Sequence, residues 1–160
     1  MPVTNVEKND EKLTLTLTAE YRASIDRVWK MWSDPRRLER WWGPPTYPAT
    51  FVEHQLTPGA RVTYFMTGPK GDRHHGWWRI VSVGAPSSLE LEDGFADARG
   101  EPDLAAPTTT MRVTLIENEG TTTMTIVSRF ASVAHMEKLV AMGMVEGITA
   151  AVGQMDALLA

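Results

Sequence analysis

The chain of 160 residues contains no cysteine. That removes thiol nucleophiles, cysteine-bound zinc and disulfides together, and it accords with a reducing compartment. No stretch approaches the ~20 apolar residues of a membrane-spanning helix. Residues Met1 to Lys12 are polar and lack the apolar core of a secretory signal. A cytoplasmic protein with no membrane partner is expected. Positive charge is sparse: the formal net charge is −4, and the densest basic pair, Arg36-Arg37, reads as a solvated helix face. No nucleic-acid partner is expected. Phosphate-binding glycine loops are missing, Ser128 and Arg129 have no histidine or acidic partner nearby in sequence, and no cofactor is expected.

Tryptophan, by contrast, is concentrated. All six fall between Trp29 and Trp78, and four of them stand in Trp29-Lys-Met-Trp32 and Trp41-Trp42-Gly-Pro-Pro45. A side chain this large is costly to leave in water, so the cluster must line a core, a pocket or an interface. Around it the periodicity is clear. Leu13, Leu15 and Leu17 alternate with threonines and predict a strand. Ser24 is a helix cap ahead of Ile25, Val28, Trp29 and Trp32, and Asp34-Pro35 starts a second short helix running to about Trp42. Gly43-Pro44-Pro45 ends it. Strands follow at Thr50–Leu56, Arg61–Met66, Gly76–Val83, around Leu89–Leu91, around Met111–Leu115 and at Thr121–Phe130. Residues 96–107 read as a surface loop, and Asn118-Glu-Gly120 turns a hairpin. From about Ser132 to Leu159 the period becomes 3.6, with Met136, Val140, Gly143, Gly147, Ala151 and Leu158 on one stripe. An antiparallel sheet with helices gathered on one face is an α+β solution. The expected organisation is a flexible segment over 1–12 and one domain over 13–160.

Polar candidates are few. His74 and His75 are adjacent and would diverge on a strand. His135-Met-Glu137 lacks the second histidine of a zinc helix, and His54 and Glu53 point to opposite sides, so no metal is expected. Glu90 and Glu92 share a strand face, but Leu89 and Leu91 occupy the other, which turns the glutamates to solvent. His54 and His75 stay as candidate polar groups of a cavity, although a satisfied structural histidine is the commoner outcome. Gly143 and Gly147 each cost ~1 kcal/mol inside a helix relative to alanine. Either close approach to the sheet or room for a ligand offsets that. Gln154 shares their stripe, and a structural hydrogen bond suits it better than ligand contact.

The Val28-Trp29 helix, the Trp41-Trp42-Gly43-Pro44-Pro45 break, the Thr57-Pro58-Gly59 turn and the Met142-Gly143-Met144 to Glu146-Gly147 segment together resemble the START-like (SRPBCC) superfamily. The nearer resemblance is to the branch named after the C-terminal domain of the activator of the heat-shock-protein-ninety ATPase. It spans roughly Leu13 to Leu159. It implies a helix-grip fold: a curved antiparallel sheet of about seven strands wrapped around one long C-terminal helix, with two short helices after the first strand and a deep cavity between. The eukaryotic co-chaperone carries a further N-terminal domain for which this chain has no room, so the name does not imply chaperone activity.

The expected function is binding of a small apolar or amphipathic molecule in that cavity. The candidate lining residues are Trp41, Trp42, His54, Tyr64, Met66, Trp78, Phe95, Met111, Met136, Val140, Gly143, Met144 and Gly147. Tyr64 and His54 would orient a polar ligand atom. Two alternatives stand beside it. The superfamily includes cyclases and hydrolyases acting on aromatic or polyketide-like compounds, for which Tyr64 or His54 would be the acid or base. The other is an interaction module whose cavity is filled by side chains. Ala141, Val145 and Val152 lie off the glycine stripe, and one of Trp77 and Trp78 must face outward. Either a homodimer covers these residues, or the helix is buried more widely than one face.

Overall fold

The computed structural model describes residues 3–160. Thirteen elements follow in chain order: β1 (Val3–Asn9), β2 (Thr14–Tyr21), α1 (Ile25–Ser33), α2 (Pro35–Leu38), β3 (Ala49–Glu53), β4 (Arg61–Thr67), β5 (Arg73–Gly84), β6 (Ser88–Phe95), β7 (Thr109–Asn118), β8 (Thr121–Arg129), α3 (Val133–Ala141), α4 (Met144–Gly153) and α5 (Met155–Leu159). The eight strands form one antiparallel sheet in the order β1-β2-β8-β7-β6-β5-β4-β3. With the helices gathered against it, this is the α+β helix-grip arrangement, with one strand more than expected.

The local signals work as their chemistry dictates. Ser24 accepts a hydrogen bond from the Arg27 N–H, Asp34 from the Arg36 N–H and Ser132 from the His135 N–H, so each helix start has one of its orphan donors satisfied. Alternation along β2 buries Leu15, Leu17, Ala19 and Tyr21, and along β8 it buries Met124, Ile126 and Ser128. Trp78 is inward and fully buried, whereas Trp77 lies partly exposed on the other face with its indole against Gly94.

Two expectations need correction. The segment expected to be flexible over 1–12 contains β1, which pairs with β2 from Val3 to Asn9. A bulge between Val3 and Asn5 shifts the register, so the two partly buried valines, Val3 and Val6, are three residues apart and the period-two signal is broken. The single long helix is three helices. α3 ends at Ala141, and Gly143, two residues on, sits in the left-handed region at φ +92° and accepts the Gly147 N–H on its carbonyl as α4 begins. Gly143 is therefore a helix terminator of the kind glycine serves best. The second break, at Gln154, is pinned from outside: its amide donates to the carbonyls of Gly43 (2.7 Å) and Trp41 (3.3 Å). The structural role expected for Gln154 is seen, at a helix end.

Two clusters anchor the broken helix on the sheet. Val152, Met155 and Leu159 join the main core with Trp32, Trp78, Leu91 and Leu115, and the Tyr21 hydroxyl donates to the Val152 carbonyl at 3.0 Å. At the other end Met136, Leu139, Val140, Met144 and Val145 pack with Leu15 and Phe130. Each fully buried apolar side chain contributes roughly 1.5–3 kcal/mol. Three such residues at one end alone outweigh the ~1 kcal/mol that each of Gly147 and Gly153 costs the helix. Cover for Val145 and Val152 comes from within the chain, by the wider burial of the helix, while Ala141 stays exposed.

Gly143→Ala should destabilise the chain by about 1 kcal/mol, because an L side chain is strained at that φ while the space around it is open. Urea unfolding monitored by tryptophan emission measures it. An unchanged midpoint would mean that the break does not need glycine.

Candidate functional site

Between the two anchor clusters the helices stand away from the sheet and leave a cavity of about 340 Å³. Its floor is built from β4 to β7: Tyr64 and Met66, then His74, His75 and Gly76, then Asp93, Gly94 and Phe95, then Thr109 and Met111. Trp41, Trp42 and Pro44 close one side, and Pro107 comes from the loop before β7. The roof is His135, Leu139, Met142, Gly143, Met144, Gly147, Ile148 and Ala151. A methyl group placed on Gly147 would meet nothing within 4 Å, so this glycine leaves open space and makes no tight helix–sheet contact.

Nine of the thirteen candidate residues come together here: Trp41, Trp42, Tyr64, Met66, Phe95, Met111, Gly143, Met144 and Gly147. Four do not line the cavity. Trp78 is fully buried beneath Trp42 and Tyr64, at ring separations of 4.9 and 6.0 Å. Met136 and Val140 face the cluster around Leu15 and Phe130, because the break at Gly143 sets α3 and α4 in separate orientations and the stripe is not continuous. His54 lies beyond the cavity, and its Nε2 donates to the Trp32 carbonyl at 3.0 Å. Burial lowers its pKa, against the opposing effect of that bond.

The polar centre of the cavity is a pair, and only half of it was expected. The Tyr64 hydroxyl donates to Asp93 Oδ1 at 2.9 Å. On β6 the alternation Leu89, Leu91, Asp93 puts this carboxyl on the core face, in register with Trp78 on β5 and Thr109 on β7. That alternation is the signal the sequence offers for Asp93. Glu92 lies on the outer face and pairs with Arg79.

Burial pushes the Asp93 pKa up to about 7, against the lowering effect of the Tyr64 bond, the Gly94 N–H and the Trp78 indole. Tyr64 is held well above the ordinary phenol value, by burial first and then by the adjacent Asp93 charge and bond. At neutral pH Tyr64 is therefore a neutral donor, and Asp93 is the group that titrates. The indole N–H groups of Trp42 and Trp78 are buried and make no hydrogen bond of good geometry among the described residues, yet both favour the ionised Tyr64.

Gly76 makes the pair sterically feasible. It stands opposite Tyr64 in the β4–β5 register, and a Cβ there would lie 2.4 Å from Tyr64 Cζ and 2.5 Å from its hydroxyl. The phenol ring lies across the glycine to reach β6. On the roof, His135 Nδ1 accepts the Ala131 N–H at 3.3 Å, and burial followed by the Lys138 charge lowers its pKa, so the ring is neutral at pH 7. His74 pairs with Asp72 at 2.8 Å. Among the described residues no three His, Asp or Glu side chains are grouped so as to hold a metal ion, and no helix is long and apolar enough to cross a membrane.

Comparison with known proteins agrees with this architecture. Residues 22–160 match the family described as Activator of Hsp90 ATPase homolog 1-like protein. The crystal structure of protein Ms6760 from Mycobacterium smegmatis is similar at 46% identity and a TM-score of 0.92, with 99% of this chain and 98% of that chain covered. A solution structure of a protein from Arthrobacter aurescens has 47% identity and a TM-score of 0.94 over 98% and 91% of the two chains. An AHSA1 protein from Silicibacter pomeroyi, at 19% identity and a TM-score of 0.72 over 91% and 96%, shares the fold. No curated protein matches.

Gly76→Ala should cost about 1–3 kcal/mol by overpacking against Tyr64. In chemical denaturation, a loss below a few tenths would mean that Tyr64 moves aside freely. Asp93→Asn should show a pH-dependent gain. The folded carboxyl titrates near 7 and the unfolded one near ~3.9. Between these values the folded chain holds a proton that the unfolded chain has released, so wild-type stability falls as pH rises through that window. The variant should gain on wild type from about pH 4 to pH 7, and a constant difference would contradict the burial of this charge.

Proposed function

The chain belongs to the Activator of Hsp90 ATPase homolog 1-like family, and on that premise we propose that it binds a small, largely apolar molecule in the cavity between β4–β7 and α3–α4. The observation that carries this reading is the cavity itself: its wall is chiefly aromatic, methionine and glycine, with few polar groups. That is the composition of small-molecule sites, whose volumes run from about 300 Å³ upward. Methionine suits such a wall, because Met66, Met111, Met142 and Met144 can adapt to ligands of different outline. Two side chains at the rim, Phe95 and Met142, are 45% and 62% exposed, which favours entry of an apolar molecule there. A cavity left open also weighs against an interaction module with a filled core.

Chemistry on the bound molecule has one group in its favour. Asp93, with a pKa raised to about 7, has the affinity for protons that a general base needs near neutral pH. His54 drops out of that reading, since its Nε2 proton is committed to a backbone carbonyl. Deuterium exchange into the methyl group of bound 2-acetylnaphthalene, followed by proton NMR in heavy water, would support catalysis if Asp93→Asn abolished it. Exchange no faster than in buffer would remove the enzyme reading.

Gly147→Leu tests the binding reading. The leucine projects into open space, so the chain should stay folded with equal or higher stability, glycine being the poorer helix former by ~1 kcal/mol. Calorimetric titration with a panel of aromatic, polyketide-like and fatty compounds should give binding to wild type and none to the variant. Equal binding to both would place the ligand elsewhere, and no binding of any compound to wild type would end the proposal.

A further inference from the structure

We propose that the cavity selects an apolar molecule carrying one hydrogen-bond donor, an O–H or N–H group, which is received by the Asp93 carboxyl and the Tyr64 oxygen. The inference rests on the cavity being a ligand site and goes on to name the ligand's polar chemistry. The residues lining the cavity include one carboxylate, Asp93, and no lysine or arginine. A ligand carboxylate would find no lysine or arginine to pair with and would stand beside a like charge. A ligand with no polar group would bury Asp93 without replacing the water it loses, and an unpaired buried charge is expensive. A donor resolves both conditions.

The geometry leaves acceptor capacity for it. A carboxylate offers about four lone-pair sites. Tyr64 occupies one on Oδ1, at 2.9 Å, and even with the Gly94 N–H and the Trp78 indole each counted against another, one stays free. The Tyr64 oxygen has spent its proton on that bond and keeps its own lone pairs. The Trp42, Phe51 and Trp78 rings lie against Tyr64, and Trp41, Trp42 and Phe95 line the cavity, a setting that also favours a cationic donor. The other titratable groups lining the cavity are His74 and His75 from β5 and His135 from α3. His135 is neutral near pH 7 and His74 is paired with Asp72.

Four naphthalene probes of one size separate the outcomes: 2-naphthol, 2-naphthylmethylamine, 2-methoxynaphthalene and 2-naphthoate, each titrated calorimetrically near pH 7.5. At least one of the two donors should bind about tenfold or more tightly than the methoxy ether, the amount a hydrogen bond to a charged group supplies. Naphthoate should bind worst. Whichever donor leads identifies a hydroxyl or an ammonium as the natural head group. The preference should grow as pH rises through about 7 in wild type. It should vanish, together with its pH dependence, in Asp93→Asn, which retains all three histidines. Tyr64→Phe is a second variant, expected to shrink the preference without abolishing apolar binding. Methoxy ether binding as tightly as both donors would overturn the inference and leave the cavity reading standing. A donor preference unchanged in Asp93→Asn would overturn it as well. If none of the four binds, the cavity reading and this inference fall together.

Discussion

The packing of Trp42 is the contact on which the rest of the structure depends. Its ring meets Trp41 at 5.7 Å, Trp32 at 5.9 Å, Trp78 at 4.9 Å and Tyr64 at 6.0 Å, every one an edge-to-face approach. Such contacts add roughly 0.5–1.5 kcal/mol apiece beyond the area buried. Together they join α1, the α2–β3 connection, β4 and β5 into one block too stiff to collapse. The Gln154 amide, bonded to the Trp41 and Gly43 carbonyls, fixes the end of α4 to that same block. The helices are thus held at a set height over β4–β7, and at Gly147 no side chain descends into the gap.

A polar pair inside such a block behaves unlike the same pair in water. Asp93 and Tyr64 lie against indole rings, where the ionised form of either is poorly solvated, and both pKa values rise. Tyr64 moves out of the physiological range and becomes a fixed donor, while Asp93 moves into it. Steric fit and electrostatics are coupled through Gly76: without the bare backbone at that position, the phenol could not lie across β5 to touch β6. The cost of holding a carboxyl in this environment is a stability penalty above neutral pH, and a bound donor would offset it.

How much of this was legible in the sequence varies with what each signal encodes. Caps at Ser24 and Asp34 and the alternation of β2 are local, and they were readable because the chemistry acts within a few residues. The tryptophan-proline break at Trp41 to Pro45 pointed to the cavity wall for the same reason. β1 was hidden because its bulge puts Val3 and Val6 three apart. Gly143 was read as lying within a helix, though a glycine inside a helix and a glycine ending one look alike in sequence. Treating the stripe as continuous then carried Met136 and Val140 into the site, when they pack with Leu15 and Phe130. Asp93 was missed for a different reason. Its position on the leucine face of β6 was visible, but its partner, Tyr64, is brought to it by a register across two strands that no local pattern records.

The central claim, an adaptable apolar site bounded by the sheet and the broken helix, is tested most directly by methionine methyl NMR. Met66, Met111, Met142 and Met144 line the cavity, whereas Met31, Met124 and Met155 are buried in the core away from it. With 13C in the methionine methyl groups, titration of an apolar aromatic probe should move the resonances of the first four and leave those of Met31, Met124 and Met155 in place. Shifts concentrated on the core methionines, or spread evenly over all seven, would contradict the account.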